Sequence, residues 1–197
     1  PVLLADARAA KVRAMPLDRS RYETIRTLEQ LNAWVARVRE RGVVAIATET
    51  TDLDPMKAQL CGFSLAVAPN EACYVPVGHR DGASSGTDLF VPEPTLSPGQ
   101  IAEHDALTAV KALLEDSAVL KIGQDVKYDW LMFSRRGIDM RSYDDVMLMS
   151  YVIDAGRAGH DMDHLAKKWL ERELPGRGTL TGTGKSQVTF DREDAGT

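Results

Sequence analysis

The stretch from Gly42 to Pro55, Gly-Val-Val-Ala-Ile-Ala-Thr-Glu-Thr-Thr-Asp-Leu-Asp-Pro, constrains the fold of this chain more than any other. Val43 to Ile46 is a short β-branched apolar run between a glycine and a Thr/Asp-rich segment. Such a run predicts an interior strand that opens into a polar loop. Side chains alternate faces along a strand, so Ala45, Ala47 and Glu49 share one side and Val44, Ile46 and Thr48 the other. A carboxylate at the exit of a buried strand is costly unless a cation or hydrogen bonds meet it. Glu49 is therefore a candidate site residue.

The segments around this strand predict one domain. Residues 1–20 read as a linker or N-terminal extension with at most a short helix, and residues 21–197 as the domain itself. Tyr22 to Ile25 predicts an edge strand. Thr27 to Gln30 forms a capping box ahead of Leu28, Leu31, Val35 and Val38 at helical spacing, with Gly42 placed as the C-terminal cap. Gln59 to Val67 and Ala72 to Val77 predict two further strands, making an antiparallel meander with the first. Residues 78–100, rich in Gly, Ser, Pro and Asp, predict a long loop. Beyond it the pattern alternates: a helix at about 103–116, a strand from Val119 to Ile122, and a helix ending near Gly137. A short strand at Ser142 to Asp144 precedes helices at 145–155 and 162–172. Three strands followed by alternating helices and strands predict an α/β fold, a mixed sheet flanked by helices.

Charge narrows the function classes only a little. With 24 basic against 29 acidic residues the net charge is −5, so bulk charge does not advertise nucleic-acid binding. A metal-dependent nuclease is nonetheless acidic at its centre. Cys61 and Cys73 are too few and too far apart for a zinc site and predict reduced thiols in a cytoplasmic protein. No signal peptide or long apolar span is present, so no membrane is expected. Pro1 in place of a methionine suggests a piece of a longer chain.

A second chemical stretch runs from Lys121 to Asp129, Lys-Ile-Gly-Gln-Asp-Val-Lys-Tyr-Asp. Asp125 and Asp129 are four apart and share a helix face. From spacing alone, Asp125 caps the helix and Asp129 is solvated.

Together these stretches resemble the 3′→5′ proofreading exonuclease domain of bacterial-type, family A DNA polymerases of the DNA polymerase I kind. Ala-Thr-Glu-Thr-x-x-Leu resembles the first family motif, Asp-x-Glu, with Ala47 where the first Asp belongs. Gly123 to Asp129 resembles the second motif, Gly-Gln-Asn-x-Lys-Tyr-Asp, with Asp125 in place of Asn. Asp145 to Tyr151, His160 to Ala166 and Gly184 to Phe190 resemble the segments that follow, in the family's order. Two features depart from it. Leu174 to Thr181 lacks the aromatic that the family packs on the DNA end, and the third motif, Tyr-x-x-x-Asp, is missing, Glu193 to Thr197 resembling only its lead-in.

The resemblance implies the ribonuclease H-like fold and a carboxylate site for two magnesium or manganese ions. Catalytic positions would be Ala47, Glu49 and Asp129, of which Glu49 and Asp129 are metal ligands. Thr48, Leu53, Gln124, Asp125 and Tyr128 would contact the nucleic acid. The implied substrate is a single-stranded or frayed DNA 3′ end, and the implied partner a C-terminal polymerase domain. Two ions roughly 3.5–4 Å apart assist in-line phosphodiester hydrolysis, and their carboxylates must converge. With Ala47 and without the third motif, little or no hydrolysis is expected. The alternatives are a non-catalytic module that binds single strands or scaffolds a polymerase, and an RNA-trimming exonuclease of the same fold. Leu53 as ordinary loop packing stays open beside Leu53 as a base contact.

Two other patterns are set aside. His160 and His164 are four apart, but no third ligand is evident for zinc. Gly184-Lys185-Ser186 lacks the glycine five positions earlier that a phosphate loop needs, because position 179 is Thr.

Overall fold

A computed structural model describes residues 10–81, 95–156, 159–174 and 189–192. A helical turn at 10–14 leads in. β1 (Tyr22–Thr24), α1 (Leu28–Arg41), β2 (Val43–Thr50), β3 (Leu60–Ala68), β4 (Glu71–Pro76), β5 (Arg80–Asp81) and β6 (Thr95–Leu96) make the first half. α2 (Glu103–Leu114), β7 (Leu120–Gly123), α3 (Val126–Ser134), β8 (Tyr143–Asp145), α4 (Val146–Ile153), α5 (Met162–Leu170) and a 3-10 turn at Phe190–Arg192 make the second.

Six strands form one mixed sheet in the order β1-β4-β3-β2-β7-β8. β2, β3 and β4 are the expected antiparallel meander, while β7 pairs parallel to β2 and β8 parallel to β7. β1 is an edge strand, parallel to β4. β2 obeys the alternation read from its sequence: Val44 and Ile46 are buried, and Ala45 and Ala47 are exposed.

The capping box closes α1 as its sequence requires. Thr27 Oγ1 accepts from the Gln30 amide at 3.2 Å, and Gln30 Oε1 accepts from the Thr27 amide at 3.2 Å. Gly42 ends the helix at φ 68°, its N–H donating to Val38 O at 2.9 Å. α1 buries Leu31, Trp34, Val35 and Val38, packing on α2 and against β2 and β3. α3 lies against β2 and β8, where Phe133 meets Phe63 of β3 edge-on with centroids 6.4 Å apart.

One expectation changes. The segment 78–100 is not wholly loop, because β5 and β6 pair antiparallel across it. Gln100 ties its two ends, donating to His79 O at 2.9 Å and accepting from the His79 amide at 2.8 Å. Two-residue strands are below what alternation can signal. α4 is apolar as expected and buries only Ser150; Val152 is 80% and Ile153 70% exposed. Within the stretch read as a linker or extension, Pro16 O accepts from Asn70 Nδ2 at 2.8 Å. The aromatic-lacking stretch from 175 onward, Lys185 and the end from Glu193 lie outside the described residues. Among the described residues no helix is long and apolar enough to cross a membrane.

Candidate functional site

β2 outruns its parallel neighbour. β7 pairs with it only over Val43–Ala45, whereas β3 accompanies β2 as far as Thr50. The β7 side of β2 therefore opens beyond Ala45, and backbone groups there need another partner. β2, β7 and β8 are mutually parallel, so Glu49, Gln124 and Asp145 all stand at carboxyl ends of strands. Crevices at such ends are where open α/β sheets bind ligands.

Asp129, one turn into α3, closes the opened edge. Its Oδ1 accepts from the Thr48 backbone N–H at 2.9 Å and from Thr48 Oγ1 at 2.6 Å. Asp129 is 5% exposed, so the solvated reading from spacing is corrected. Burial pushes its carboxyl up to about 6; the two Thr48 bonds oppose this, and the charges of Asp125 and Glu49 add to it. The approach of α3 depends on Gly123. A Cβ there would sit 2.9 Å from Val126 Cγ2, 3.2 Å from Ile46 O and 3.6 Å from Asp129 Oδ2.

Glu49 lies at the end of β2 next to a register shift between Glu49 and Thr50. Bulges re-aim side chains at the ends of strands. Its cross-strand partner is Gly62, and a Cβ on Gly62 would stand 2.3 Å from Tyr74 Oη. The bare glycine thus admits the Tyr74 ring beside Glu49. Burial raises the Tyr74 hydroxyl well above its ordinary value, and the Glu49 charge contributes. Tyr74 Oη is 2.7 Å from Nε2 of the buried His79, whose ring meets Phe190 at 5.8 Å. Ala47 is exposed, two residues before Glu49 on the same strand face. It brings a methyl to the position.

Asp125 does not cap α3. It adopts the left-handed conformation, φ 53° and ψ 49°, with no side-chain bond to the helix start, which corrects the spacing argument. Asp145 takes the role from the end of β8. Its carboxylate accepts from the amides of Asp125 at 3.2 Å and Val126 at 2.9 Å, and from those of Met147 at 2.9 Å and Leu148 at 3.4 Å. One carboxylate therefore serves the N-termini of both α3 and α4. The sequence carried the signal, an Asp directly before an apolar helical run, but not its second use.

The remaining candidates divide. Gln124 donates through Nε2 to His160 O at 2.8 Å, and its buried Oε1 has no hydrogen-bond partner among the described residues. Tyr128 donates to Asp52 O at 2.5 Å and lies 2.5 Å from Thr50 Oγ1, so its hydroxyl braces the loop after β2. Leu53, on that loop, is 81% exposed. His160 pairs through Nδ1 with Ser150 Oγ at 2.9 Å. Among the described residues no three His, Cys, Asp or Glu side chains converge to hold an ion.

Comparison with known proteins gives a consistent picture. The 3′-5′ exonuclease family matches residues 22–177. DNA polymerase I of Rhizobium leguminosarum is 46% identical over 98% of this chain, which covers 20% of that protein. The chain spans about a fifth of the length of the curated relatives it matches. Among solved structures, the exonuclease domain of Aedes aegypti Nibbler superposes with a TM-score of 0.62 at 12% identity, over 90% of this chain and 83% of that one. Escherichia coli RNase D, an exoribonuclease, superposes with a TM-score of 0.58 at 16% identity, over 80% and 36%. These likenesses show a mixed sheet flanked by helices of the ribonuclease H-like 3′-5′ exonuclease type.

Proposed function

We propose that this chain, which belongs to the 3′-5′ exonuclease family of DNA polymerase I, is the proofreading domain of a longer polymerase and engages a single-stranded or frayed DNA 3′ end. The observation that carries this reading is Asp129, a buried carboxylate held up at about 6 beside Glu49 at the carboxyl end of β2. The two Thr48 hydrogen bonds offset only part of the cost of burying this acid, a cation would offset more, and perturbed carboxylates in clefts mark functional sites.

The residues fit one divalent ion and not two. Glu49 and Asp129 carry oxygen ligands of the kind magnesium and manganese prefer, and the Glu49 charge adds to the upward shift of Asp129 that burial causes. Oδ1 of Asp129 is already committed to Thr48, which leaves Oδ2 for an ion. Ala47 offers no oxygen. A bound ion would polarise the phosphodiester. The chain's own residues orient that ligand pair: Thr48 fixes the Asp129 carboxylate, and Asp145 fixes the start of α3 that bears it. Gln124, Asp125, Leu53 and Tyr128 surround the crevice as contacts for the strand. Of these, Gln124 and Tyr128 act at least partly through the backbone groups they hold.

Ala47 favours a second reading, a domain of this family that binds single strands without cleaving them. An RNA substrate is the remaining alternative, since RNase D shares the fold. The test is degradation of 3′-labelled DNA and RNA strands with magnesium or manganese, by the chain as given and by Ala47→Asp. Little turnover by the first and partial turnover of DNA by the second supports the reading. Turnover by the unaltered chain that is unchanged by Ala47→Asp overturns it.

A further inference from the structure

The loop from Thr51 to Gln59 is closed on itself and held from α3 at both ends. Thr51 N–H donates to Gln59 O at 3.1 Å, and the Gln59 amide donates to Thr51 Oγ1 at 3.0 Å. Inside, Asp54 O accepts from the amides of Lys57 at 3.0 Å and Ala58 at 2.9 Å, while Asp54 Oδ1 accepts from Met56 N–H at 3.0 Å. Tyr128 holds the start of the loop through Asp52 O. At the far end of α3, Arg135 Nη1 donates to Pro55 O and, at 3.1 Å, to Ala58 O. The large apolar side chains this loop exposes are Leu53, 81%, and Met56, 63%.

We propose that Arg135 is a positioning residue for substrate: through Pro55 and Ala58 it fixes Leu53 and Met56 as a paired apolar platform at a set distance from Asp129. The proposal rests on the nucleic-acid reading above and deepens it. α3 bears Asp129 near its start and, with Arg135 following its last residue, clasps the loop from Tyr128 to Arg135. Carboxylate and platform are thereby tied to one rigid element. A rigid platform costs little ordering entropy when a base lands on it. Apolar side chains receive unstacked bases of any sequence, as a single-stranded end requires. Arg135 reaches the loop through two backbone carbonyls, both bound by its Nη1.

The experiment compares the chain as given with Arg135→Ala, Arg135→Lys, Leu53→Ala/Met56→Ala and the triple variant. Binding of a fluorescent single strand is measured across salt concentrations, and amide exchange at Lys57 and Ala58 without DNA. Arg135→Ala is expected to speed exchange at both amides and to weaken binding roughly 3–10-fold. The slope of affinity against salt stays unchanged, Arg135→Lys recovers part of the loss, and the loss disappears in the Leu53→Ala/Met56→Ala background. A salt slope reduced by about 0.7 would make Arg135 a phosphate contact instead. A loss that adds fully to the double variant, or unaltered exchange, also overturns the proposal. If the unaltered chain binds no strand, the nucleic-acid reading fails, and the exchange arm alone then decides whether Arg135 holds the loop.

Discussion

Asp129 Oδ1 takes both hydrogen bonds that Thr48 can give, the backbone N–H at 2.9 Å and the hydroxyl at 2.6 Å. Thr48 sits between Ala47 and Glu49 on β2. The helix carboxylate is thus locked to the strand between the two positions where the family motif carries its acids. That lock holds Asp129 in place with or without an ion.

It also makes stability depend on pH. The Asp129 carboxyl is raised from the ordinary 3.8 to about 6, so between those values the folded chain binds more protons than the unfolded one. Stability contributed by this group is therefore lost as pH rises through that window, and the penalty is complete above it. At neutral pH the penalty is on the order of 3 kcal/mol. Asp129→Asn keeps an oxygen for Thr48 and removes the charge. Without divalent ions it should raise the thermal midpoint at pH 7.5 by roughly 6–12 °C, and most of the gain should vanish near pH 4. Parallel curves from pH 4 to 7.5 would show that Asp129 is not held as described.

Asp145 gives a second handle. Removing its carboxylate leaves four amides at two helix starts without their acceptor. Asp145→Ala should cost about 2–3 kcal/mol, and Asp145→Asn about half as much because one amide oxygen serves one helix. Urea midpoints at constant slope measure both. A loss below about 0.5 kcal/mol for Asp145→Ala would mean that water replaces the shared cap.

These two residues show where the sequence was legible. Thr27, Gln30 and Gly42 declare their helix because caps are local and residue-specific. β2 to β4 announce themselves by alternation and β-branched runs. Asp125 misled because its conformation is set by Asp145, twenty residues on, so local spacing assigns the cap to the wrong acid. The exposed side of α4 was equally hidden, since an apolar helix carries no mark of what it leaves uncovered. Glu49 and Asp129 could be brought together beforehand only through the family resemblance. The Tyr74–His79 pair beside Glu49 went unread, because Gly62 signals a close approach but not by which ring.

Substrate recognition gives a third expectation. The chain should bind a single strand with a free 3′ end more tightly than the same strand blocked at that end, without sequence preference. Affinity should fall with salt, by a slope of about 0.7 per phosphate contacted. A titration with the two oligonucleotides and a blunt duplex measures this. Equal affinity for both strands, or tighter binding to the duplex, would contradict end recognition.

The most direct test of the account is manganese binding by calorimetry, in the chain as given, in Ala47→Asp and in Asp129→Ala. In the proposed reading, Ala47 leaves Glu49 on β2 and Asp129 on α3 as the anionic groups available to an ion. The chain as given should bind one ion weakly, Ala47→Asp should tighten binding by roughly tenfold or more, and Asp129→Ala should abolish it. Two ions bound by the unaltered chain as tightly as by Ala47→Asp would mean that position 47 is no ligand, and the assignment of this site would fall.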